Sequence, residues 1–319
     1  MFAMKAKPDE TALLQELRSI PGLKVKVSEP LARYTSMKIG GPADFFVEVE
    51  NQAALSQLLS FLSQHGIPSC LLGNGSNVLV SDFGVEGVVV HLGGDFKGAE
   101  WHDQGNDSWV EVGAAHAVTQ LVREAARRGY GGLEFGEGIP GTVGGALVMN
   151  AGAYGSEFEK VVDLVQGMNR EGTPIQFTRE EMKFSYRDSH LPAGTVVTRL
   201  RLHLDREESS TVSGKVRELV TKRKSSQPSG YPNSGSMFRN PTGDYAGRLV
   251  EAAGLKEKQI GRAQISAKHG NFIVNLGGAS AKDIRQLMEL ARAEVQAKFG
   301  VDLIPEVKLL GRWPSMEPE

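Results

Sequence analysis

The chain has 319 residues, 40% apolar and 23% charged, with a formal net charge of −2. That length allows about two domains with a substantial core, and the near-neutral balance excludes the basic footprint of a nucleic-acid binder. The single cysteine, Cys70, excludes an internal disulfide and suits a reducing compartment. It follows Pro68 in an apolar run and reads as a small buried hydrophobe rather than a nucleophile. The N-terminus carries lysines but no apolar signal core, and no stretch is long and apolar enough for a bilayer. A soluble, cytoplasmic protein is expected.

Residues 9–20 predict a helix: Asp9 can cap it, Leu13, Leu14, Leu17 and Ile20 form a stripe, and Pro21-Gly22 stop it. A polar stretch follows. Phe45, Val47 and Val49 then alternate as one face of a strand after the Gly40-Gly41-Pro42 turn. Asn51 caps a helix with Ala54, Leu55, Leu58, Leu59 and Leu62 inward, ended by Gly66. Strand-like runs IPSCLL and VLVSD flank a short glycine loop, and GVVVHL and SWVEVGA add two strands. Ala114 to Arg128 predicts a helix closed by Gly129. VVDLVQGM and PIQFT flank a turn at Glu171-Gly172, and Val196, Thr198, Leu200, Leu202 and Leu204 form one face of a further strand. Residues 206–211 turn charged and serine-rich, which marks a domain boundary. Beyond it come a helix through Val212, Val216, Leu219 and Val220, and the basic cluster Lys222-Arg223-Lys224. A Pro/Ser/Gly loop, a helix from Asp244 to Ala253, a strand NFIVNLGG, a helix from Ala281 to Phe299 and a strand-like LIPEVKLLG complete the chain. The fold class is α+β in two lobes.

Two glycine-rich stretches stand out. GEGIPGTVGGALVMNAGAYG, from Gly136 to Gly155, has seven glycines in twenty residues, and GNGSN runs from Gly73 to Asn77. Segments so poor in side chains bring backbone N–H groups close to a ligand, commonly a phosphate, and two together suit a dinucleotide. Gly136, Gly138 and Gly141 match G-x-G-x-x-G, but the context argues against a nicotinamide-binding fold. Pro140 fixes the backbone inside the motif, Gly144 and Gly145 weaken any helix that follows, and no second strand ends in an acidic residue on schedule.

The set TSMKIGGPADFFVEV, LLGNGSNVLVSD, GIPGTVGGALVMNAGAYG, FSYRDS, GSMFRNP, HGNFIVN and LIPEVKLLG occurs here in one order. It resembles the UDP-N-acetylenolpyruvoylglucosamine reductase family from about Arg33 to Gly311, in the shorter form that lacks a substrate-capping segment. One departure is visible: His269-Gly270-Asn271-Phe272 stands where the family pattern has alanine second, a change that should loosen the backbone.

The resemblance implies an FAD-binding region of the vanillyl-alcohol-oxidase type over 1–205, built as two α+β subdomains. It further implies a C-terminal substrate-binding domain over 206–319 whose last strand, about 301–311, returns to the active site. FAD would be noncovalent, since the motif around Tyr34 to Gly41 holds no histidine. Its pyrophosphate and flavin would be wrapped by Gly73, Asn74, Gly75, Ser76 and Asn77. Gly138, Ile139, Pro140, Gly141, Thr142, Val143 and Gly145 would form a second wall, with Asn150 and Gly152 near it. Each glycine alone could serve an ordinary turn.

The implied chemistry is NADPH-dependent reduction of UDP-N-acetylglucosamine enolpyruvate to UDP-N-acetylmuramate, with NADPH and the sugar nucleotide using one site in turn. Arg187 in SYRDS would clamp the substrate carboxylate through its planar fork; paired with Asp188, it would be merely structural. Glu306 in PEVKLLG, with raised proton affinity, would hydrogen-bond the developing charge, or else be plain surface charge. Ser236 in GSMFRNP would donate the proton, or else cap a turn. Lys224 and Asn240 would touch the diphosphate or carboxylate side, although Lys224 also suits a solvated helix end. Scattered histidines argue against a metal site, and no obligate protein partner is implied. Two rivals remain: an FAD-dependent sugar or aldonolactone oxidase of the same fold, and a non-catalytic nucleotide-sugar or flavin binder.

Overall fold

The computed structural model describes residues 10–104 and 107–314; the Asp9 cap lies outside them. Contacts divide the chain into two units. The first draws on Met1–Lys26, Phe46–Gly73 and Gly87–Lys222, the second on Val27–Phe45, Asn74–Glu86 and Arg223–Glu319. Among the described residues, no helix is long and apolar enough to cross a membrane.

In the first unit, local chemistry sets the helix ends. Helix α1 (Glu10–Ser19) buries Leu13 and Leu17. Helix α2 (Gln52–His65) starts where Asn51 Oδ1 accepts the Ala54 N–H at 2.9 Å, and it ends at Gly66 in the left-handed region. Its buried stripe, Ala54, Leu55, Leu58, Leu59 and Leu62, is the one the sequence predicts. Helix α3 (Val118–Arg128) begins later than the predicted Ala114, because the Ala114 and His116 carbonyls accept the N–H groups of Gly144 and Val143, both at 2.8 Å, instead of helical donors.

The core of this unit is a five-stranded antiparallel sheet. Its order is Pro174–Thr178, Val162–Met168, Val196–His203, Asp107–Gly113 and Ala99–Gln104. Leu200 of the central strand lies opposite Val165 on one side and Val112 on the other, and all three are fully buried. Leu23–Pro30 is a strand where the sequence shows only a polar stretch. Its burial does not alternate, so the pattern that announces a half-buried strand is missing.

A second departure is helix α4 (Val143–Val148), which forms in spite of Gly144 and Gly145. Thr142 caps it, its Oγ1 accepting the Gly145 N–H at 3.2 Å. Gly144 packs so close that a Cβ would lie 2.8 Å from the Ala114 Cβ, so this glycine serves packing. The G-x-G-x-x-G stretch opens only this six-residue helix and follows a 3-10 turn at Glu134–Gly136, unlike a nicotinamide-binding fold. Helix α5 (Arg179–Met182) carries a Thr178–Glu181 capping box, and helix α6 (Ser209–Ser226) buries Val212 and Val216.

The second unit has its own core. Helices α7 (Ala246–Ala252) and α8 (Ala281–Phe299) contribute Leu249, Val250, Ile284, Leu287 and Met288 to a cluster with Met37, Leu79, Met237, Phe238 and Val307. A three-stranded sheet runs in the order Gln259–Ile260, Ala263–Ile265 and Ile273–Asn275. Ser280 and Asp283 form a capping box on α8, and the Asp82 carboxylate takes the N–H groups of Ala281 and Lys282 at 2.9 and 3.1 Å. Lys308–Leu310 pairs in parallel with Val78–Val80, so the terminal strand docks beside the GNGSN loop.

Candidate active site

In the first unit Gly73, where the short glycine stretch begins, meets the long one. A Cβ on Gly73 would lie 2.9 Å from Thr142 Oγ1, so Gly73 allows the close approach. Gly138 and Gly141 take φ of +75° and +121°, values that ordinary side chains rarely adopt. Among the described residues, no hydrogen-bond partner is present for the N–H groups of Gly138, Gly141 and Thr142. Ile139 is different: its N–H bonds the Gly136 carbonyl at 3.0 Å. The next three donors are also used internally. Val143 bonds the His116 carbonyl and Gly144 the Ala114 carbonyl, both at 2.8 Å, and Gly145 bonds Thr142 Oγ1. Val143 and Gly145 can therefore line a ligand by contact, but not by N–H donation.

Asn150 is fully buried in a left-handed conformation, φ +39°. Its Nδ2 donates to the Ser185 carbonyl at 3.1 Å, and its Oδ1 accepts the Glu159 N–H at 3.0 Å. Ser189 Oγ donates to the Val148 carbonyl at 3.1 Å. These bonds dock the SYRDS turn on the end of α4. The turn itself closes through reciprocal Ser185–Asp188 main-chain bonds of 3.0 and 3.1 Å. Arg187 sits at its corner with φ +60°, its guanidinium 5.0 Å from the Tyr186 ring centroid and its Nη2 3.4 Å from the Gly152 carbonyl. Asp188 accepts the His190 N–H at 2.8 Å. Asn150, Tyr154, Lys183, Arg187 and His190 all hold positive φ. Such backbone cost concentrates where geometry is functional.

The second unit assembles a different group. Gly75 is buried at φ +57°, with room for no Cβ because the Tyr34 carbonyl would lie 2.4 Å away. The N–H groups of Asn74 and Gly75 have no partner among the described residues. Ser76 follows, half-buried, and then Asn77, whose Nδ2 donates to the Glu306 carbonyl at 3.2 Å. The Glu306 N–H donates in turn to the Met237 carbonyl at 2.8 Å. Ser236 directly precedes Met237 and is half-buried, with Gly235 at φ +77° before it. Three segments far apart in sequence thus bring Asn77, Ser236 and Glu306 together. The neighbouring Ser234 hydroxyl, buried and without a partner among the described residues, gave no sequence signal beyond its place in the loop.

Lys224 and Asn240 are placed less distinctively. Lys224 is exposed in the last turn of α6, and its carbonyl accepts the Lys268 ammonium. Asn240 Oδ1 accepts the Ala246 N–H at 3.1 Å, serving the start of α7. Arg187 belongs to the first unit, and Ser236, Glu306, Lys224 and Asn240 belong to the second. Cys70 is half-buried, and burial pushes its thiol up to about 11, consistent with an inert residue.

The chain is 43% identical over 310 residues to UDP-N-acetylenolpyruvoylglucosamine reductase 2 of Symbiobacterium thermophilum, spanning 96% of this chain and 99% of that relative. The Bacillus subtilis UDP-N-acetylenolpyruvoylglucosamine reductase is 40% identical over 301 residues, 94% of this chain and 98% of its own length. The chain belongs to the UDP-N-acetylenolpyruvoylglucosamine reductase family. A family model described as the C-terminal domain of this reductase matches residues 227–310, and one described as an FAD binding domain matches 43–178. The crystal structure of the Thermus caldophilus reductase agrees with a TM-score of 0.77 at 38% identity, covering 90% of this chain and 98% of that one.

As a member of this reductase family, the protein is an FAD-dependent oxidoreductase. The residues present fit such a group. An anionic pyrophosphate needs donors that the fold has not already satisfied; in the first unit the N–H groups of Gly138, Gly141 and Thr142 meet that condition, and in the second those of Asn74 and Gly75 do.

Proposed function

We propose that this reductase uses NADPH to convert UDP-N-acetylglucosamine enolpyruvate to UDP-N-acetylmuramate, a cytoplasmic step of peptidoglycan precursor synthesis. NADPH and the sugar nucleotide occupy the site in turn. The observation that supports the reading is the 2.8 Å bond between the Glu306 N–H and the Met237 carbonyl, which joins the main chain at Glu306 to the residue after Ser236.

When bound, FAD would supply the hydride chemistry that joins NADPH oxidation to reduction of the substrate's C=C bond. The residues of the chain manage the charge and the proton. Negative charge builds on the carbon of that bond that bears the carboxylate and spreads into the carboxylate. Arg187 pairs with that carboxylate, and Glu306 hydrogen-bonds the same developing charge. Ser236 Oγ gives its proton to that carbon, which completes addition of H⁻ and H⁺ across the double bond. A serine hydroxyl is a weak acid, so the step needs a strongly basic carbon and donors that stabilise the alkoxide. Lys224 and Asn240 hold the diphosphate or carboxylate side. The N–H groups of Asn74, Gly75, Gly138, Gly141 and Thr142 would hold the cofactor, Gly73, Ser76, Asn77, Ile139, Pro140, Val143 and Gly145 would line it by contact, and Asn150 and Gly152 would fix the Arg187 turn. Glycines at 73, 75, 138 and 141 give the backbone its close approach.

An anaerobic rapid-mixing experiment tests the reading. NADPH bleaches the flavin, and the enolpyruvyl sugar nucleotide is then added. Prompt return of the yellow bands supports the proposal. Return only with air would point to an oxidase, and failure to hold FAD would leave the proposal without a basis.

A further inference from the structure

Asn271 is 3% exposed, and its side-chain hydrogen bonds both serve the segment that follows Ser236. Its Oδ1 accepts the Phe238 N–H at 2.9 Å, and its Nδ2 donates to the Phe238 carbonyl at 2.8 Å. Its own carbonyl accepts the Met237 N–H at 2.9 Å. One side chain thus satisfies both main-chain groups of a buried residue, as a neighbouring strand would, and a third bond fixes the residue before it. On the other side, the same segment is held by residues 304–307. Arg239 bonds the Ile304 carbonyl at 2.9 Å, Phe238 bridges Pro305, and the Met237 carbonyl takes the Glu306 N–H at 2.8 Å.

Residues 237–239 are therefore a short strut held from both sides, with Ser236 at one end and Glu306 bonded across it. Met237 and Phe238 are themselves buried, so the strut cannot drift into solvent to find new partners. Nothing in the length or charge of Asn271 takes it toward a substrate. Its chemistry is fully used on the strut. The N–H of Asn271 donates to His269 Nδ1 at 3.1 Å, and the Gly270 N–H donates to Glu251 Oε1 at 3.0 Å, so the residue is itself fixed against α7.

We propose that Asn271 is a positioning residue for this reaction. It holds the Phe238 main chain so that the Ser236 hydroxyl and the Glu306 backbone keep one fixed relation. This rests on the proposed role of Ser236 as proton donor. Alanine at 271 leaves the Phe238 N–H and carbonyl buried without their partners, and the strut loosens. Aspartate keeps the size and one acceptor but sets a second oxygen against the Phe238 carbonyl.

The test uses the flavin-loaded enzyme with Asn271→Ala, Asn271→Asp, Ser236→Ala and the double variant Asn271→Ala/Ser236→Ala. FAD content and thermal melting establish that each is folded; if the alanine variant is not, Asn271→Asp carries the same comparison, alone and with Ser236→Ala. The expected result for Asn271→Ala is normal bleaching by NADPH. Its limiting rate of substrate-driven flavin reoxidation falls roughly 10- to 100-fold, the scale of a misplacement of about 1 Å. The substrate concentration that half-saturates that rate stays unchanged. In the double variant the Asn271 change adds nothing to Ser236→Ala, because the residue acts through that serine. Reoxidation at the native rate in Asn271→Ala, or a double variant slowed by the product of the two single effects, would overturn the inference while Ser236→Ala remained slow. Native reoxidation in Ser236→Ala would instead remove the reading beneath it, and this inference with it.

Discussion

The main-chain N–H of Glu306 donates to the carbonyl of Met237 at 2.8 Å, joining two segments separated by most of the second unit's sequence. The bond places Glu306 across the strut that begins at Ser236, and Asn77 holds the same residue through its carbonyl at 3.2 Å. The segments of the acid and the hydroxyl are thereby linked through main chain, and the Asn77 side chain ties the glycine loop to them. Sites built that way keep their geometry.

Arg187 makes a separate prediction. Arg187→Ala should leave NADPH-driven bleaching near normal and lower substrate-driven reoxidation by about 100- to 1,000-fold, the usual scale for a lost donor at a developing anion. Arg187→Lys should recover little, because an ammonium lacks the planar fork. Rapid mixing of both variants checks this, and full recovery by lysine would reduce the role to simple charge.

Asn150→Ala should destabilise the first unit by about 2–4 kcal/mol, since the Ser185 carbonyl and Glu159 N–H lose their shared buried partner. Alanine would also inherit the left-handed backbone of this position. Denaturant unfolding measures the loss. A companion effect is expected in the substrate half-reaction, because the lost bonds dock the Arg187 turn.

Gly270→Ala restores the residue that the family pattern leads one to expect, yet it should destabilise this chain. A Cβ there would lie 2.6 Å from the Gly247 carbonyl oxygen and 2.8 Å from Glu251 Cγ. Beyond any loosening of the backbone, Gly270 lets the segment pack against α7. A loss of about 1–3 kcal/mol is expected, the usual cost of overpacking, read as a lower melting temperature with FAD content unchanged.

His269 predicts a pH dependence. Burial holds its imidazole below the ordinary histidine value, Glu251 opposing this and Lys256 adding to it. The unfolded chain then binds the proton first. The histidine costs no stability above its unfolded value of about 6.5, and stability falls as pH drops from there toward the lower folded value, then levels. Melting temperatures of the native protein and His269→Asn should diverge on acidification, with the native protein losing more. Parallel curves would contradict the assignment.

The elements legible in the sequence are those whose signals are local. Asn51 and Gly66 bracket α2, and Ser280 and Gly300 bracket α8, each within a turn of the helix it ends. What could not be read is set by distant partners. Helix α4 survives two glycines because Thr142 caps it and Ala114 receives Gly144. Asp82 supports α8 from nearly two hundred residues away. The motifs named Ser236, Glu306 and Arg187, but no spacing could announce that Asn271 clasps Phe238 or that Asn150 anchors Ser185. Those are long-range hydrogen bonds of ordinary asparagines.

The most direct test of the account is the Ser236→Ala variant, followed anaerobically through its two half-reactions. The account predicts NADPH bleaching of the flavin at close to the native rate. Reoxidation by the enolpyruvyl sugar nucleotide should fall about 100- to 10,000-fold, the span of a lost general acid. If both half-reactions slow together, or if neither does, Ser236 is not the proton donor and the proposed mechanism is contradicted.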